Sequence, residues 1–140
     1  MLIVGVLLAI RLLAEGESRP VAWRDLTAQV GPLRITDREN RVFRNEEELA
    51  SYLARAKARG AAPQVDFSQR QLLLVSPGPR SSTGYEVEVL SVREQDGEIT
   101  VRVREQTPKL EDRVEARVTH PYRLLSLPAG KEVTVDWLGR

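Results

Sequence analysis

The sequence contains no cysteine. That excludes disulfide bridges, thiol catalysis, zinc–thiolate sites and a lipidated N-terminal cysteine. It leaves the compartment open, since many exported bacterial proteins have no disulfide. Histidine occurs once, at His120. A Ser-His-Asp site would have to use that residue, which immediately precedes Pro121 in a region read as strand, and no partner constellation surrounds it. Metal binding by His120 with carboxylates such as Glu115 finds no support in the spacing. No catalytic residue, metal site or cofactor is therefore expected. Excess charge of one sign is also lacking. The net charge is +1 and the basic residues are spread along the chain, so no nucleic-acid partner is expected.

What is present reads as a folded chain. Of the 140 residues, 41% are hydrophobic and 29% charged, which suits one globular domain with a single core. Acidic pairs are frequent, and each has a structural explanation. Glu46-Glu47-Glu48 opens a helix, Glu86 and Glu88 lie on the polar side of a strand, and Glu111-Asp112 lies in a loop. A solvated face accounts for them better than a general acid and base.

Met1 to Ile10 is an apolar run, too short to span a bilayer and suited to the hydrophobic stretch of an export signal. Ala14 is then the best candidate for the last residue removed. The alternatives are a buried N-terminal strand and a short membrane anchor. Residues 1–20 are thus expected to be a signal or anchor segment with a linker, and residues 21–140 a single β-rich domain.

Ile35 to Arg44 is read as two short strands around a turn signal at residues 38–41. Asn45 to Arg59 has the marks of a helix. Asn45 and Glu48 form a capping-box pair, and three glutamates favour the positive end of the dipole. Leu49, Tyr52, Leu53 and Ala56 make one apolar stripe, and Gly60 is the expected cap. From residue 64 the period becomes two. Gln71–Val75 suits a central strand. Tyr85, Val87 and Val89 alternate with glutamates, with all three expected on one face. Asp96-Gly97 before Ile99, Val101 and Val103 signals a hairpin. Thr107–Arg113 reads as loop, Ala116 and Val118 as strand material, then Tyr122–Leu127 and Val133–Trp137 as strands. The expected fold is mainly β (α+β): an antiparallel β-sandwich or partly open barrel of about seven strands with one helix.

Ser76 to Tyr85 is a ten-residue stretch rich in Gly, Pro and Ser between two strong strands. It is longer than most hairpin loops. It can be an ordinary loop or a binding loop presented on a rigid scaffold. Phosphate cradling is disfavoured, because the loop leads into a strand and not a helix.

This stretch and its flanks resemble the C-terminal domain of the protease-complex subunit PrcB. The similarity covers about residues 64–137. It rests on Val65-Asp66-Phe67-Ser68, the apolar strand Leu72–Val75, Gly78, Ser81-Ser82-Thr83-Gly84-Tyr85, the Asp96-Gly97 hairpin, Pro108, and Pro121-Tyr122 with Leu124 and Leu127. Thr83 departs from the pattern, standing where that family commonly has glycine, and threonine tolerates positive φ poorly. More faintly, the loop is similar to one in chagasin-like cysteine-protease inhibitors. The resemblance implies a non-catalytic, exported bacterial module that binds another protein, such as a protease, and stabilises or modulates it. Gly78, Arg80, Ser81, Ser82, Thr83, Gly84 and Tyr85 would form the partner-binding loop, with Tyr85 anchoring it in the sheet. The alternatives are a structural cell-envelope domain without a ligand and a protease inhibitor acting through residues 76–84.

Overall fold

The computed structural model describes residues 16–139. The segment 1–14 expected to be a signal or anchor lies outside the described residues. Among those described, eight strands form two four-stranded sheets, with two helices. The strands are β1 (Arg19–Pro20), β2 (Arg24–Asp25), β3 (Glu39–Phe43), β4 (Arg70–Ser76), β5 (Glu86–Gln95), β6 (Glu98–Gln106), β7 (Arg123–Pro128) and β8 (Glu132–Leu138). The helices are α1 (Thr27–Val30) and α2 (Glu46–Arg55). One sheet has the order β1-β5-β6-β8 and the other β2-β7-β4-β3. The architecture is a β-sandwich, and neither sheet closes into a barrel.

β4 shows why its sequence is a continuous apolar run. Leu72 and Leu74 face one side, in a core shared with Leu49 and Leu53 of α2. Leu73 and Val75 face the other, in a core shared with Val87, Val101 and Val103 of the second sheet. Both faces of this strand are covered, so the alternation of a half-wet strand is absent. The molecule therefore has three layers: helix, inner sheet, outer sheet. The outer sheet has a single buried face and keeps the alternating pattern.

α2 begins as its sequence predicts. The Glu48 N–H donates to Asn45 Oδ1 at 2.9 Å. The Glu48 carboxylate accepts from the N–H of Arg44, one residue before the cap. Its end differs from expectation. The helix stops at Arg55, and Lys57 takes the left-handed position with φ +60°. Ala58 N–H then donates to Leu53 O at 3.0 Å and Lys57 N–H to Ala54 O at 3.3 Å. This is the Schellman arrangement, closed by lysine in place of Gly60.

Three further expectations are corrected. Residues 38–41 are not a turn: Glu39–Phe43 is one unbroken strand, paired with β4 from Glu39–Ser76 to Phe43–Leu72. Ala116 and Val118 are not strand residues. The stretch between β6 and β7 is irregular apart from one bridge at Thr119, and Val118 is exposed. The presumed linker contains β1, which pairs with Glu94 and Arg93 of β5.

The Asp96-Gly97 hairpin forms as expected, with φ +53° and +78° at its two central residues, the signature of a type I′ turn. β8 pairs parallel to β6, although the rest of the pairing is antiparallel. The chain crosses to the inner sheet for β7 and crosses back, and two reversals restore its direction.

Candidate functional site

Two crossings between the sheets meet at one end of the sandwich. Residues 77–85 carry the chain from β4 to β5, and residues 107–122 carry it from β6 to β7. The hairpin at Asp96-Gly97 and the β7–β8 turn lie at the opposite end, where the described chain also begins beside Glu94.

The first crossing is built, not loose. Ser76 Oγ donates to Pro121 O at 2.8 Å and accepts from Gly78 N–H at 3.1 Å. Gly78 has φ +93°, and a Cβ there would come within 3.3 Å of the Arg38 backbone nitrogen. Arg80 and Thr119 exchange two backbone hydrogen bonds of 2.9 Å. The Arg80 guanidinium grips Glu105 with both arms, Nε to Oε2 at 2.7 Å and Nη2 to Oε1 at 2.9 Å. This planar fork is the strong geometry for an arginine–carboxylate pair, and it raises the Arg80 pKa above its ordinary value. Thr119 Oγ1 donates to Ser82 O at 2.8 Å. Thr83 N–H donates to Glu115 O at 3.1 Å, and Glu115 N–H donates to Thr83 Oγ1 at 2.9 Å.

These bonds assign each predicted residue a position. Gly78 is buried at the root, and Arg80, Ser82 and Thr83 tie the two crossings together. Ser81 and Gly84 are exposed. Thr83 is not among the residues with positive φ, so its departure from the family glycine causes no strain. Gly84 is the residue that needs the freedom, with φ +99° and a would-be Cβ at 2.8 Å from Pro108 Cβ and 3.1 Å from Val114 Cγ1. Tyr85 departs from expectation. It precedes β5, stays partly exposed and lies outside both hydrophobic cores. Its ring lies 5.8 Å from the Arg80 guanidinium carbon, so its contact is with the first crossing and not with the core of the sheet.

The second crossing supplies what the sequence reading missed. Leu110 is fully exposed, Val118 is 65% exposed and Val114 45%. A hint was present in the sequence. Val114, Ala116 and Val118 alternate as in a strand, yet among the described residues no strand pairs with them. The residues around them, Lys109, Glu111, Asp112, Arg113, Glu115 and Arg117, carry three charges of each sign. The end of the sandwich thus presents aliphatic side chains in a balanced polar rim, on backbone held by the first crossing. Such a surface suits protein contact more than a charged ligand.

His120 lies on this crossing, with Nδ1 2.9 Å from Ile35 O. Next to it, Tyr122 is buried and its hydroxyl donates to Gly31 O, which fastens α1 to β7. Among the described residues, no helix is long and apolar enough to cross a membrane, and no group of three potential ligands is placed to hold a metal ion.

The chain matches no curated protein and no solved structure. A family model described as PrcB C-terminal does match, over residues 72–128. The match runs from β4 to the end of β7 and so takes in both crossings. Over this segment the chain is similar to the PrcB C-terminal family.

Proposed function

We propose that the domain is a non-catalytic protein-binding module of a protease complex, acting outside the cytoplasm, and that it docks through the end formed by residues 77–85 and 107–122. The observation that carries this is the exposure of Leu110, Val114 and Val118 on a crossing pinned to its neighbour by reciprocal backbone bonds. Surface aliphatics on fixed backbone lose little entropy on binding. The family match over both crossings supports association with a protease. The apolar run Met1–Ile10 supports export.

The reading shifts the contact from the loop at 76–84 to the joint surface. Arg80 is committed to Glu105 and Thr119, and Thr83 to Glu115, so they act by holding the backbone beside Val114 and Val118. Affinity capture from the native host with the full chain, followed by identification of bound proteins, tests the proposal. A protease is expected among them with the wild type and lost with Leu110→Ser/Val118→Ser, while the melting temperature stays the same. Equal capture of that protease by the variant contradicts the docking surface. Capture of no protease contradicts the assignment to a protease complex.

A further inference from the structure

On the helix side of the molecule a cleft of about 510 Å³ lies between the end of α2, β3 and residues 34–37. Four cations line it: Arg34, Arg41, Arg55 and Lys57. Its two carboxylates are Asp37 and Glu39. Tyr52 is the aromatic wall, with the Arg41 and Arg55 guanidinium carbons 5.2 Å and 5.9 Å from its ring centroid. Arg41 pairs with Glu39 at 3.3 Å. Among the described residues, Arg34, Arg55 and Lys57 form no ion pair.

The cations are not needed to complete the helix end by hydrogen bonding. Tyr52 O accepts from Ala56 N–H at 2.9 Å and Leu53 O from Ala58 N–H at 3.0 Å. Ala54 O accepts from Lys57 N–H at 3.3 Å and Ala56 O from Arg34 N–H at 2.7 Å. The last bond also fixes one wall of the cleft to the other. Lys57 adds a second observation. It holds φ +60°, where glycine is the ordinary residue and a side chain is disfavoured. A strained residue whose side chain lines a cleft points to use of that side chain.

We propose that this cleft binds the carboxylates of an acidic peptide segment, with Arg34, Arg55 and Lys57 as the receiving cations. Asp37 and Glu39 on the rim repel a compact dianion such as phosphate. Carboxylates spaced along an extended peptide can each face one cation and avoid those two groups. The cleft shares no residue with the two crossings, and its test is separate from that of the docking end.

Calorimetric titration of the full chain at low ionic strength tests it, with a blocked peptide of alternating glutamate and alanine in one arm and inorganic phosphate in the other. Saturable binding of the peptide and none of phosphate is expected. Arg34→Gln/Arg55→Gln should weaken the peptide roughly tenfold, as the loss of two exposed charge contacts predicts. Lys57→Gly should weaken it too, while raising the melting temperature. The proposal is overturned if the peptide fails to saturate or if phosphate binds as tightly. It is equally overturned if the double variant binds like the wild type, or if Lys57→Gly leaves affinity unchanged.

Discussion

Gly84 combines two constraints. Its φ is +99°, and a side chain there would meet Pro108 at 2.8 Å. Gly84→Ala should cost about 1–3 kcal/mol, from the left-handed backbone and the displaced proline together. A urea midpoint equal to that of the wild type would contradict this. Tyr122 offers a pH test. Burial pushes its phenol up to about 12, against about 10 for an unperturbed tyrosine. The folded state favours the neutral form, so this stabilisation is complete below about pH 10. It is lost as pH rises through about 12, to a total of roughly 2–3 kcal/mol. Stability of the wild type should therefore fall more steeply than that of Tyr122→Phe across this window. Parallel curves in urea titrations would contradict it. Residue-level detail was legible where one residue type has one use, as in Asp96-Gly97. It was not legible at Lys57, where a residue poorly suited to positive φ closes a helix four residues after Leu53.

Elements were legible in proportion to how much of their signal is local. α2 announced its start through Asn45 and its buried face through Leu49, Tyr52 and Leu53, all of which are buried. Leu53→Ala should cost about 2–5 kcal/mol, the usual cost of emptying a buried leucine site, and an unchanged midpoint would count against the packing. β5 hid a bulge between Val89 and Ser91. Its mark in the sequence is a change of phase, since residues packed in the core between the sheets fall at Val87 and Val89 and then at Val92. Ala116 and Val118 misled because their alternation is only half of a strand signal. The other half is a neighbouring strand with which to pair, and no local pattern carries that.

At the scale of the molecule, the sandwich was legible and the sheet membership was not. β1 and β2 are two residues each, and the chain between them passes from the outer sheet to the inner one. Which sheet a strand joins depends on such crossings, as does the parallel pairing of β6 and β8. The same crossings build the proposed docking end. The loop at 76–84 was visible as unusual in composition, but its bonding to residues 107–122 was not. Hydrogen exchange on the domain, free and bound to the captured protease, tests the central claim most directly. New protection confined to residues 77–85 and 107–122 is the predicted result. Protection elsewhere, such as the outer face of β5 and β6, with both crossings unchanged would contradict it.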